Sequence, residues 1–257
     1  MTDPDDIEAV ARGTVLAGGA VLRARYRDGD TDGDYTDHDV KAAADEAAEA
    51  RMLPLVRRAF PDHAIFSEEA GEFAGSEPYR WILDPLDGTN NFTAGLPTFA
   101  SSVAVVHEGE PMVAAIHQPA TDETYLARRG SGVQYQGERV RAESDVPPEA
   151  ATVAMIVGRD VPRTPALAEQ AETIRERIGE NTKRVVDSWA PTVHSGLFAR
   201  GRLQGLVQFH PDEEEQTVTE LFASEAGAVT RREGPLYVAA CDETTLSTLW
   251  EAAQASV

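Results

Sequence analysis

The 257-residue sequence predicts an α/β chain in two subdomains, divided at 143/144. Three observations carry this. The first 60 residues are dominated by helical spacing, and short apolar runs separated by turn residues follow them. After residue 150, strand-like and helix-like segments alternate. Between these regions, Ser144-Asp145-Val146-Pro147-Pro148 reads as a linker. The chain is long enough, at 42% hydrophobic residues, to bury a full core.

Residues 7–25 carry apolar side chains at helical spacing, with Asp5 or Asp6 as N-cap. An acidic stretch, 28–39, interrupts the pattern. A second helix is expected over 40–60, rich in Ala and Glu and stopped by Pro61. Strand-like runs follow at 64–67, 79–83, 101–107 and 112–118, the last two joined by a turn at Glu108-Gly109-Glu110-Pro111. Another pair is expected at 124–127 and 133–135. In the second half, strands at 152–157, 184–186, 203–209 and 236–239 alternate with helices at 166–178, 192–200, 216–226 and 242–255.

The formal net charge is −21, and lysine occurs only at Lys41 and Lys183. Such a field repels phosphate backbones and argues against nucleic acid as a partner. It also points to a high-salt cytoplasm, where self-repulsion is screened. Apolar stretches end before the ~18 residues a membrane span requires, and the acidic start lacks the pattern of a secretory signal. The single cysteine, Cys241, fits a reducing cytoplasm.

The most informative string is Trp81-Ile82-Leu83-Asp84-Pro85-Leu86-Asp87-Gly88-Thr89-Asn90-Asn91-Phe92. A short apolar run ends in two carboxylates three residues apart. Two such groups cannot stay charged together in a partly buried pocket without a cation, and hard oxygen ligands suit magnesium. Pro85 fixes φ and turns Asp84, Asp87 and the Leu86 carbonyl toward one side. Gly88 lets a ligand approach the backbone. Thr89 and Asn90 begin a helix whose N–H groups suit a phosphate. The plain alternative is an Asx turn with Asp87 as an N-cap.

At this string the chain resembles the inositol monophosphatase family of magnesium-dependent sugar and inositol phosphatases. The family's first signature, a Trp leading through D-P-[LI]-D-G-T to N-F, is met over 81–92. Ser67-Glu68-Glu69 resembles its preceding acidic pair, and Asp45 resembles the aspartate of its V-T-x-x-D segment. The resemblance implies a layered α-β-α-β-α sandwich of the sugar phosphatase type. It implies two or three magnesium ions. Glu68, Asp84 and the Leu86 carbonyl would hold one, and Asp84, Asp87 and an acid from the C-terminal half would hold another. Thr89, hydrogen-bonded to Asp45, would form a general-base relay, with a further metal near Glu68 helping to position the attacking water. The amides of Gly88 and Thr89 would cradle the phosphate beside Asp87.

The C-terminal signature, W-D-x-A-A-G before E-A-G-G, is met less closely. Glu225-Ala226-Gly227-Ala228 matches its second part, and counting back ten residues puts Glu215 where the ligand aspartate belongs. Asp212, Glu213 and Glu214 are alternatives. The family's G-S-A-A-x-D pattern appears as Asp187-Ser188-Trp189-Ala190-Pro191-Thr192, without its aspartate. Gln208 falls where some inositol phosphatases place a substrate-binding glutamate.

The resemblance thus implies a cytoplasmic phosphomonoesterase acting on a small phosphorylated polyol or sugar, inositol monophosphate first. Fructose-1,6-bisphosphatase and nucleotide 3′-phosphatase activities are the rivals. Family members are often homodimers, and the charge suggests a halophilic, haloarchaeal member. A different class rests on residues 28–39, whose acids and Gly33 approach an EF-hand calcium loop between two helices. That reading makes the chain a noncatalytic calcium-binding protein.

Overall fold

The computed structural model describes residues 3–35 and 40–254. These form two compact units. The first takes the chain up to Arg139 together with Ser188–Val193, and the second takes Val140–Asp187 and the chain from His194 onward. The short segment Ser188–Val193 therefore belongs with the first unit although it comes late in the sequence.

The first unit opens with α1 (Pro4–Asp28). Its N-cap is Asp3 rather than Asp5 or Asp6. The Asp3 carboxylate accepts the Asp5 N–H at 3.0 Å, and Pro4 fits the first helical position, where no N–H is needed. β1 (Gly33–Tyr35) pairs antiparallel with β2 (Val40–Ala42), and α2 (Ala43–Ala59) begins only after it. Residues 40–42 thus join a hairpin, because cross-strand pairing overrides a weak local helical preference.

β3 (Ala64–Ser67), β4 (Gly71–Phe73), β5 (Tyr79–Asp87), the short α3 (Thr89–Thr93), β6 (Ala100–His107), β7 (Glu110–Gln118), β8 (Glu123–Arg128), β9 (Gly132–Tyr135) and β10 (Glu138–Val140) follow. The strands form one sheet in the order β10-β9-β8-β7-β6-β5-β3-β4. β5 through β9 pair antiparallel, whereas β3 runs parallel to β5. Glu108 and Gly109, both at positive φ, make the two-residue turn between β6 and β7.

Ile7, Ala11 and Val15 of α1 and Met52 and Val56 of α2 pack against Trp81, Leu83, Val103 and Val105. The Trp81 indole N–H donates to His63 Nδ1 at 3.0 Å, so a fully buried ring keeps its polar atom satisfied.

The second unit holds β11 (Thr152–Val157), α4 (Pro165–Asn181), β12 (Arg184–Val186), β13 (Gly205–Phe209), α6 (Glu213–Glu225), β14 (Val229–Glu233), β15 (Leu236–Ala240) and α7 (Glu243–Gln254); α5 (Pro191–Ala199) runs into it from the segment that joins the first unit. Its sheet order is β12-β11-β13-β15-β14. β12 and β13 flank β11 in parallel, and β15 and β14 add antiparallel. Ile174 and Ile178 of α4 and Leu249 and Trp250 of α7 share a core with Val153, Met155, Val207 and Phe209. Together the units realise the mixed α/β class that the sequence predicts. Among the described residues, no helix is long and apolar enough to cross a membrane.

The acidic stretch does not link two helices as a calcium loop would. Asp28 is the last residue of α1, Asp30 pairs with Arg25 at 2.7 Å, and Gly33–Tyr35 are strand. The remaining residues, 36–39, lie outside the described residues.

Candidate active site

The first unit builds its candidate site around an irregularity in β5. Asp84 pairs with Ser102 of β6, and Asp87 pairs with Ala100. Three steps on β5 therefore oppose two on β6, which is a one-residue bulge at Pro85-Leu86. In a regular strand, residues three apart face opposite sides of the sheet. Ser102 and Ala100 share a side, and directly paired residues lie on the same side. The bulge thus brings both carboxylates to one face. Pro85, which has no N–H to lose, suits it, and its carbonyl accepts the Ser101 hydroxyl at 2.7 Å.

Asp84 and Asp87 are each 5% exposed. Asp87 Oδ2 accepts the Thr192 N–H at 2.9 Å, the Thr192 hydroxyl at 2.5 Å and the Val193 N–H at 3.4 Å, so it caps the start of α5 from inside the first unit. Burial and the nearby Glu68 charge raise its carboxyl to about 7, against the pull of the Thr192 and Val193 bonds. Gly88 sits at φ +88°, and a Cβ there would lie 3.0 Å from Thr98 O and 3.2 Å from the Ala190 Cβ. Gly88→Ala is accordingly expected to destabilise the protein by about 1–3 kcal/mol through backbone strain and crowding. A denaturation midpoint equal to that of the native sequence would refute this.

Asn91 knits the turn to two other segments: its side-chain amide donates to Thr98 O at 2.7 Å and to Ser188 O. The Thr89 hydroxyl donates to Leu86 O at 3.0 Å, and Asp45 Oδ2 accepts the Ala42 N–H at 3.1 Å. The expected bond between Thr89 and Asp45 is therefore not formed. A threonine hydroxyl reaches a carbonyl three residues back more readily than a side chain on another helix.

Asp45 is 4% exposed in the first turn of α2. Burial raises its carboxyl to about 8, and the Glu68 and Glu69 charges add to the shift. Glu68 follows β3 directly, its N–H donating to Leu83 O at 3.2 Å beside Asp84. Glu49, which the sequence reading passed over, accepts from the Ser67 hydroxyl and from the Ala70 N–H at 2.9 Å, and so fixes the Ser67–Ala70 turn that carries Glu68.

The Glu68 charge thus acts on both Asp45 and Asp87 across mostly buried surroundings, with Asp84 on the same strand face as Asp87. This donor set suits a hard divalent cation, which would reverse the repulsion. The carboxylates stand near one another without closing: among the described residues no three acidic, His or Cys side chains already converge as a metal-ligand group.

Two predicted residues belong to the second unit. Glu215 stands in the first turn of α6 with Glu213 and Glu214. Glu214 pairs with Arg159 at 2.5 Å, and Asp212 pairs with the same arginine at 3.3 Å, which commits both to holding Arg159. Gln208, in β13, is fully buried and donates to the Thr219 hydroxyl at 3.1 Å. Its side chain ties the sheet to α6 and is closed to a ligand as folded.

Comparison with known proteins accords with this geometry. The model described as the inositol monophosphatase family matches residues 3–214. The match stops one residue before Glu215. The Nus factor SuhB of Escherichia coli K12 is 41% identical over 108 residues, 42% of this chain and 40% of that protein. A fructose-1,6-bisphosphatase/inositol-1-monophosphatase of Aquifex aeolicus is 34% identical over 138 residues, 53% of this chain and 52% of that protein. The chain thus spans about half, or less, of the length of these curated relatives. The crystal structure of extragenic suppressor protein suhB from Bartonella henselae shares the fold, with a TM-score of 0.88 and 23% identity over 98% of this chain and 99% of that one.

Proposed function

Since the chain belongs to the inositol monophosphatase family, we propose that it is a magnesium-dependent phosphomonoesterase that hydrolyses inositol monophosphate. The observation that carries this reading is the bulge in β5, which sets Asp84 and Asp87 on one face, with Asp87 within reach of the Glu68 charge. Glu68, Asp84 and the Leu86 carbonyl would hold one magnesium, and Asp84 and Asp87 would contribute to holding a second, with a further ion near Glu68. Bound magnesium supplies charge neutralisation at the phosphoryl oxygens and a more acidic water.

The chain's own residues do the rest. The amides of Gly88 and Thr89 hold the phosphate beside the acids. Asp45 takes the proton of the attacking water, directly or through Thr89 once that hydroxyl leaves Leu86 O. Thr192 and Val193 orient Asp87, and Glu49 orients the turn of Glu68. Gln208 acts at most as a support through Thr219. We place the protein in a salt-rich cytoplasm as a homodimer, with no nucleic-acid or membrane partner.

A second reading, fructose-1,6-bisphosphatase activity, is favoured by the double name of the Aquifex aeolicus relative. Phosphate release from inositol 1-phosphate, fructose 1,6-bisphosphate and adenosine 3′,5′-bisphosphate, measured with magnesium in molar KCl, separates the two. Inositol 1-phosphate is expected to be cleaved fastest, and chelation to stop release. No release from any ester, or release indifferent to chelation, defeats the phosphomonoesterase reading.

A further inference from the structure

The Ser188–Val193 segment carries one residue that the chemistry above does not use. Trp189 is 53% exposed, and its backbone sits at φ +50°. Among the described residues, the other non-glycine positions at positive φ are Glu108, Asp122, Gln136 and His210, all polar; Trp189 alone combines this backbone with a large apolar side chain. Both features are unfavourable. A left-handed backbone strains a bulky residue, and an indole left in water forgoes burial.

Its neighbours show what holds it there. Ser188 O accepts from Asn91, Ala190 is buried against Gly88, and the Thr192 N–H donates to Asp87 at 2.9 Å. The indole is therefore carried on a segment fastened on both sides to the turn that bears the proposed phosphate contacts. Two further exposed apolar side chains stand on segments joined to α3. The Leu96 N–H donates to Asn91 O at 2.8 Å, and Tyr35 lies in β1, whose Gly33 abuts Thr93. Three of the exposed large apolar side chains are thus carried on segments that touch the stretch 87–93.

We propose that Trp189 is a specificity-determining residue that touches substrate. The face of its indole packs on the ring of the leaving alcohol, so that ring-bearing phosphomonoesters are taken in preference to open-chain ones. The proposal rests on the phosphomonoesterase reading and names the substrate class of that site. A six-membered ring offers a flat face of C–H groups or π-electrons that an indole can cover, whereas a short open chain offers none. Alanine stands at this position in the G-S-A-A pattern, so the platform is a feature of this chain.

The test compares the native protein with Trp189→Ala and Trp189→Phe on inositol 1-phosphate, 1-naphthyl phosphate and glycerol 2-phosphate, with magnesium in molar KCl. Trp189→Ala is expected to lose roughly tenfold in kcat/KM on the two ring-bearing esters, mainly through KM, a loss of the size one ring stack contributes. Glycerol 2-phosphate should change less than twofold, and Trp189→Phe should recover most of the loss. Equal losses on all three esters, or none, overturn the proposal. Should the native protein cleave no ester, the phosphomonoesterase reading falls by itself. Indole fluorescence then decides about Trp189. A quench by inositol 1-phosphate that glycerol 2-phosphate does not reproduce, and that Trp189→Phe abolishes, sustains the contact. No such quench ends it.

Discussion

Asp84→Asn is expected to lower magnesium-dependent phosphate release by at least about 100-fold, since changes one shell further from a metal already cost 10–100-fold. The substitution is nearly isosteric, and it removes one of several buried like charges. The fold should therefore hold or gain stability: thermal melts in chelator ought to coincide with, or exceed, those of the native protein. Loss of activity without loss of structure separates a ligand role from a packing role. Retention of activity within tenfold of the native rate would show that Asp84 holds no essential ion.

The second large effect concerns Asp45, where activity and stability should move in opposite directions. As the proposed proton acceptor, Asp45 is expected to contribute about 10²–10⁴-fold, so Asp45→Asn should lose activity by that factor. Its stability effect follows from protonation. Burial first, with Glu68 and Glu69 adding, raises the carboxyl from 3.8 to about 8 in the folded protein. The folded state then binds more protons than the unfolded chain between these values, so native stability falls as pH rises through that window. An asparagine keeps an oxygen for the Ala42 N–H but has no charge to desolvate. Metal-free Asp45→Asn should therefore lack that fall and, at pH 8, be more stable than the native protein. Denaturation midpoints measured from pH 5 to 8 test this; parallel curves for the two proteins would refute it.

Much of the architecture was legible because it depends on local pattern. The runs 152–157 and 184–186 matched strands residue for residue, being short, rich in β-branched residues and bounded by turns or helices. β14 escaped because Thr230-Arg231-Arg232-Glu233 is an exposed, charged edge strand with no alternation to betray it. At the site, the pair Asp84 and Asp87 could be read from the sequence, but the bulge that makes their odd spacing workable could not. Thr192 looked like a departure from a pattern, although a Pro-Thr pair is itself a helix start and its hydroxyl serves Asp87. Glu49 lies in an Ala- and Glu-rich helix and carries no local signal that sets it apart. Its burial depends on the Ser67–Ala70 turn, a contact between segments far apart in sequence that no local pattern reveals.

The tether at Asp87 has a thermodynamic consequence. The carboxylate that would grip an ion is the one whose Oδ2 seats Thr192 and Val193, so the two events would draw on a shared group and be reciprocally linked. Whatever freed the stretch between Ser188 and Val193 would alter ion affinity, and loading with ions would alter, by the same factor, how firmly that stretch, with its exposed indole, is docked.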